Sequence, residues 1–149
     1  MARINICAIH KIADSSLEGK IMADYLKRIP WKIKINQLEL KDKLPPEKQK
    51  ISEGELLLKM VPDGDFIIAL DERGEQFSSH GFSKLIEKQI QPISFIIGGA
   101  YGLSDELRNK ANLLLSLSEM TMPHVLARVV LVEQIYRAYT ISQNHPYHK

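Results

Sequence analysis

The chain carries 149 residues, 20 basic against 18 acidic for a net charge of +2, with 44% hydrophobic residues and a single cysteine. That balance excludes a disordered or low-complexity chain, an internal disulfide and the strongly basic surface of a general nucleic-acid binder. Chains of this size bury roughly 68–70% of their unfolded surface, so one domain spanning residues 1–149 is the expected organisation.

The longest apolar runs, such as Phe66 to Leu70 and Val129 to Val132, fall short of the ~20 residues a membrane span needs. The first residues read as a strand rather than a leader peptide, and a cytoplasmic protein with no membrane partner is expected.

Ile4, Ile6 and Ala8 alternate as a first strand, with Cys7 inside it as a buried thiol rather than a nucleophile. Ser15 or Ser16 caps a helix on which Leu17, Ile21, Tyr25 and Ile29 recur at helical spacing before Pro30. Residues 31 to 40 alternate as a second strand. Lys32 and Lys34 project away from Trp31, Ile33 and Ile35, and with Lys27 and Arg28 they form a basic patch, either a solvated strand face or a nucleic-acid contact. Pro45-Pro46 opens a second helix with Ile51, Leu57, Leu58 and Val61 as core positions and Gly54 as its weak point.

Phe66 to Leu70 is a short apolar run bounded by turn residues, as expected of a strand covered on both faces. Ser78 or Ser79 caps a third helix through Phe82, Leu85, Ile86 and Ile90, which Pro92 ends. Ile93 to Ile97 is a buried strand, Gly98 to Gly102 a turn, and Ser104 the cap of a short helix. Leu113 to Leu117 forms the last strand and residues 124 to 142 the last helix. Strands alternating with helices predict an α/β fold, a mainly parallel sheet of about five strands with helices on both faces.

In such sheets ligands bind beyond the carboxyl ends of the strands. Three loops are therefore candidates: Leu70 to Gly74, Gly98 to Gly102, and Ser118 to His124. The glycines allow close backbone approach, yet GGAYG matches neither a dinucleotide fingerprint nor a P-loop, and a plain tight turn explains it equally well. Met120 and Met122 fit core packing or soft ligand-lining surface. On the last helix Arg128 falls inside the apolar arc of Val125, Val129, Val132, Ile135, Tyr136 and Tyr139. A guanidinium there needs a partner: a buried or interfacial ion pair or snorkelling to a nearby edge on one reading, a substrate or a second subunit across a dimer interface on the other. His145 and His148 do not make a metal site: no cysteine accompanies them, Pro146 breaks the helical geometry and two ligands do not close a zinc sphere.

Taken in order, Leu70, Asp71 and Gly74; Ile97, Gly98, Gly99, Gly102 and Leu103; Ser118, Met120, Thr121, Pro123, His124 and Arg128; Glu133, Gln134, Tyr136, Arg137 and Ala138; and the terminal Tyr147-His148-Lys149 closely resemble the RlmH family. These are methyltransferases of the SPOUT superfamily that modify N3 of a pseudouridine in large-subunit ribosomal RNA. The resemblance runs through the whole chain and is most specific from residue 95 onward. It implies a C-terminal trefoil knot, a homodimer whose subunits jointly frame the active site, and S-adenosylmethionine as methyl donor with no metal. By position it implies donor contacts at Leu70, Gly99, Ser118, Glu119, Met120, Thr121, Met122 and Pro123. Arg128, Arg137, Tyr147 and His148 would lie near the pocket mouth, gripping RNA and orienting the base, with Tyr147 or His148 able to assist deprotonation. The small charge fits a substrate presented by the assembled ribosome. His10 stands where family members commonly have glycine, which puts the local turn geometry in question.

Two other readings compete: a non-catalytic RNA- or ribosome-binding dimer that keeps the knotted fold, and a small-molecule enzyme using the glycine loop for phosphate.

Overall fold

The computed structural model describes residues 2–149. Alternation at Ile4, Ile6 and Ala8 becomes strand β1 (Arg3–Ile9), and the chain continues through α1 (Leu17–Lys27), β2 (Lys32–Leu38), α2 (Pro46–Met60), β3 (Phe66–Gln76), α3 (Ser79–Glu87), β4 (Ile93–Ile97), α4 (Asp105–Lys110), β5 (Leu113–Ser116) and α5 (His124–Ser142). The caps explain where helices start: the side chains of Ser16, Ser78 and Ser104 each accept an amide N–H three residues on, while prolines begin α2 and precede α5.

The five strands form one parallel sheet in the order β2-β1-β4-β3-β5. Ile4, Ile6 and Ala8 of β1 pack with Met22 of α1, Phe82 of α3, and Leu131 and Ile135 of α5. The intervening Cys7 and Ile9 face the opposite layer, with Leu57 of α2 and Leu107 of α4. Period two in the strand thus feeds two cores, one on each sheet face.

β3 departs from the expected five-residue strand. Leu70 and Glu75 both stand opposite Leu115 of β5, and a strand residue takes two neighbours only from opposite sides. Residues 71–74 therefore carry the chain across the backbone of β5. Gly74 makes that crossing possible, because a Cβ there would lie 2.5 Å from the carbonyl carbon and oxygen of Leu114.

Helix faces also differ from simple spacing. α1 turns Gly19 and Met22 inward, leaving Leu17 77% exposed and Ile21 about half exposed. Ile51 of α2 is likewise half exposed, and Ile90 lies beyond α3 in solvent. Gly54 is a contact rather than a defect: a Cβ there would meet the Ser104 hydroxyl at 2.6 Å, so glycine lets α2 close on the turn before α4.

Candidate functional site

The three loops at the carboxyl ends of β3, β4 and β5 converge on one cavity of about 630 Å³, within the range that holds a nucleoside-sized ligand. Leu70, Gly99, Ser118, Met120, Thr121, Met122 and Pro123 all line it, whereas Glu119 is exposed and stands outside. Asp71, Glu72, Arg73, Arg108 and His124 supply its charged and titratable groups. Ser118 shapes its own loop, its hydroxyl accepting the Met120 amide at 3.0 Å while its carbonyl accepts the Ser116 hydroxyl at 3.0 Å.

The glycine turn is tight for two separate reasons. Gly102 adopts φ +82°, a conformation open to glycine at little cost, and its N–H donates to the Gly99 carbonyl at 3.1 Å. Gly99 faces a carboxylate: a Cβ there would lie 2.8 Å from both oxygens of Glu53, a buried residue of α2. Glu53 Oε2 accepts from Gln49 at 3.2 Å, while Oε1 is buried with no hydrogen-bond partner. Nothing in the spacing of the sequence ties Glu53 to this loop.

Across the cavity Asp71 is clamped. Arg108 Nε donates to its Oδ2 at 2.5 Å and the Arg73 amide to its Oδ1 at 2.9 Å. Burial alone would raise this acid, but the Arg73 amide and the Arg108 guanidinium outweigh it and hold the carboxyl below the usual aspartate value. The cavity wall therefore contains a fixed, paired charge.

Arg128 does not line the cavity itself but points inward from its rim. Its side chain is fully buried, with Nη2 donating to the carbonyls of Ile9 and His10 at 2.9 Å each and Nη1 to Gln37 Oε1 at 2.6 Å. Gln37 Oε1 also accepts the Ile12 amide at 2.7 Å. These partners are neutral carbonyl oxygens rather than a carboxylate, and the guanidinium locks the ends of β1 and β2 to α5. Burial pulls its pKa to about 10, which leaves it charged at neutral pH.

His10 accounts for the departure from glycine. It takes φ +78°, the left-handed conformation glycine favours. The turn survives because the His10 amide donates to Leu38 at 2.6 Å, Arg128 holds its carbonyl, and its ring stacks on His124 with centroids 4.2 Å apart at 16°. Burial first, then His10 and Arg128, lower the pKa of His124.

Arg137, Tyr147 and His148 gather into a second cluster that does not line this cavity. Arg137 pairs with Glu133 through Nη2 at 2.7 Å and Nε at 3.0 Å, lies under the Tyr147 ring at 4.8 Å and meets His148 Nδ1 at 3.0 Å. The Tyr147 hydroxyl donates to Glu133 at 3.1 Å; burial, together with Tyr25 and Glu133, drives its pKa well above the usual tyrosine value. His80 of α3 packs edge-on against His148. Arg137 lies thirteen residues along α5 from His124, about 20 Å of helix.

The basic patch is also reshaped. Arg28 stays exposed but pairs with Asp24 at 2.8 Å and lies over the Tyr25 and Tyr136 rings, while Lys32 and Lys34 are exposed on the edge strand β2. Among the described residues no group of three or more histidine, cysteine or acidic side chains is placed to hold a metal ion, and no helix is long and apolar enough to cross a membrane.

Residues 2–148 match the family model described as "Predicted SPOUT methyltransferase". The chain is 43% identical over 159 aligned positions, covering 99% of both chains, to "Ribosomal RNA large subunit methyltransferase H" of Streptococcus pneumoniae strain CGSP14, and equally so to the protein of that name in strain TIGR4 of serotype 4. Its fold is similar to that of a solved structure titled as a probable methylase family protein from Haemophilus influenzae Rd KW20, with TM-score 0.57 and 16% identity over 96% of this chain and 67% of the other.

Proposed function

Since this chain belongs to the SPOUT methyltransferase family, we propose that it methylates N3 of a pseudouridine in large-subunit ribosomal RNA, using S-adenosylmethionine. The observation that carries this reading is the convergence of Leu70, Gly99 and the Ser118–Pro123 loop on one cavity at the carboxyl edge of the sheet. The names of the curated relatives supply the class of substrate.

The cavity fits the donor. Leu70, Leu117, Met120 and Met122 offer an apolar wall for an adenine ring, while Ser118 and Thr121 offer polar groups for a ribose or an amino-acid end. When bound, the sulfonium supplies an already activated methyl group. The protein's share is alignment and exclusion of water, and rigid walls suit both tasks: the Asp71–Arg108 pair, the Glu53-backed glycine turn and the Arg128 lock each hold a loop in one place.

We assign Arg137, Tyr147 and His148 to holding RNA, on the cavity of a second copy rather than their own. The roughly 20 Å of α5 between Arg137 and His124 supports that division of labour, as does the apolar surface left on α1 and α5 by Leu17, Ile21 and Leu126. The reading therefore comprises a homodimer of single-domain chains spanning residues 1–149, acting on the assembled ribosome in the cytoplasm. It includes a C-terminal trefoil knot, for which the passage of residues 71–74 across β5 is the supporting feature.

The test is methyl transfer from labelled S-adenosylmethionine to large ribosomal subunits from cells lacking the protein, followed by mass spectrometry of the RNA. One new methylpseudouridine is expected. Donor binding without incorporation into ribosomal RNA would instead favour the non-catalytic binding reading.

A further inference from the structure

His124 is the first residue of α5, directly after the Thr121–Pro123 wall, and it lines the cavity. Its ring is held from behind by a chain of contacts. Arg128 fixes the His10 carbonyl, the His10 amide is fixed to Leu38, and the His10 ring lies flat against that of His124. The group is half-buried, oriented by its stacked neighbour, and part of the cavity wall.

Resting on the methyltransferase reading, we propose that His124 is the proton acceptor for the target base, with His10 as the residue that positions it. Methyl transfer to N3 requires loss of the N3 proton. The N3–H bond breaks and its proton passes to a ring nitrogen of His124; the N3 electron pair forms the bond to the methyl carbon; the carbon–sulfur bond breaks with its electrons left on sulfur. One positive charge disappears at sulfur and one appears on His124, which then releases its proton to water.

The electrostatics suit that role. Burial, His10 and Arg128 all disfavour the imidazolium, which keeps the ring neutral with a nitrogen open to a proton at neutral pH, though as a weaker base than a free imidazole. Asp71, Glu72 and Arg73 of β3 and Arg108 of α4 are the other charged groups on the cavity wall, and Asp71 is already paired with Arg108. The tail groups are less suited to accept the proton at whichever copy's cavity they serve: Tyr147 already donates to Glu133, and His148 Nδ1 is held against the Arg137 guanidinium.

The test is single-turnover methyl transfer to unmodified large subunits at saturating donor, from about pH 5 to pH 9, for the native protein, His124→Gln and His10→Gly. The native rate rises through an acid limb to a plateau. For His124→Gln the rate at neutral pH falls about 100-fold or more and the limb disappears, while calorimetric affinity for S-adenosylmethionine stays within about threefold. A His124→Gln rate within about threefold of native, or a limb that persists, overturns the proposal. His10→Gly keeps the turn, since glycine accepts φ +78°, and moves the limb to higher pH by removing one group that disfavours the imidazolium. This second variant decides the matter if His124→Gln does not fold, and an unmoved limb then overturns the proposal. Absence of donor binding by the native protein overturns the methyltransferase reading itself, and this proposal with it.

Discussion

Arg128, on the last helix, donates to the carbonyl oxygen of His10 at 2.9 Å, a residue 118 positions earlier in the chain. The same nitrogen holds the Ile9 carbonyl, also at 2.9 Å. This joins the end of the first strand to the start of α5 at the rim of the cavity. Replacing Arg128 with Met removes the donor to the Ile9 and His10 carbonyls, while Gln37 Oε1 keeps the Ile12 amide; with about 1–3 kcal/mol for each buried polar group left unsatisfied, a loss of about 2–6 kcal/mol is expected in urea denaturation. Were Arg128 instead a surface RNA contact, stability would hold while RNA affinity fell.

Gly99→Ala brings a methyl group against the buried Glu53 carboxylate, 2.8 Å from each oxygen. Neither partner is the loose end of an exposed side chain, so the glycine turn must move. Donor affinity measured by calorimetry should drop about tenfold or more, equivalent to about 1.4 kcal/mol. The pair Gly99→Ala with Glu53→Ala should recover part of it, because the second change removes the obstacle.

Asp71→Asn breaks a charge-assisted contact with Arg108 whose carboxylate side is 5% exposed. Hydrogen bonds to charged groups contribute about 1.5–3 kcal/mol, and a loss of that order is expected at neutral pH. The folded-state pKa of Asp71 lies below the ordinary value of 3.8, so its stabilisation is complete above that pH and declines as the pH falls through the depressed folded value. Native and variant denaturation midpoints should accordingly differ at pH 7 and draw together in acid below pH 3.8.

Glu133→Gln weakens both the Arg137 ion pair and the acceptor for the Tyr147 hydroxyl. The cluster is partly exposed, so global stability should change by no more than about 1 kcal/mol. The tail has few other anchors, and hydrogen exchange at Tyr147 and His148 should quicken well before the rest of the chain. Unchanged exchange there would mean the tail is held by packing against Tyr136 instead.

Element order and helix starts were legible because they are local. Ser16, Ser78 and Ser104 cap their helices through contacts three residues away, and residues 124 to 142 form α5 as their periodicity predicts. Which face each helix buries was less legible. Along α1 and just past its end the stripe of Leu17, Ile21, Tyr25 and Ile29 is split: Tyr25 and Ile29 pack on the core, whereas Leu17 and Ile21 point outward and Gly19, a non-apolar position by pattern, sits against the Ala13 carbonyl. Close backbone approach outweighs side-chain hydrophobicity there, and it leaves no trace in periodicity.

The candidate site divides the same way. By itself the sequence determined five strands and five helices, three loops at the strand ends and a chemically distinctive order of residues in the last third, since strand period, caps and motif order are all short-range properties of a chain. Only the tertiary structure decided that Glu53 lies under Gly99, that residues 71–74 cross β5, and that Arg128 is a buried lock while His124 meets the cavity. Those outcomes depend on which carbonyl, carboxylate or ring arrives from a distant segment, and a buried donor is satisfied by whichever acceptor the packing of the sheet brings within 3 Å or so.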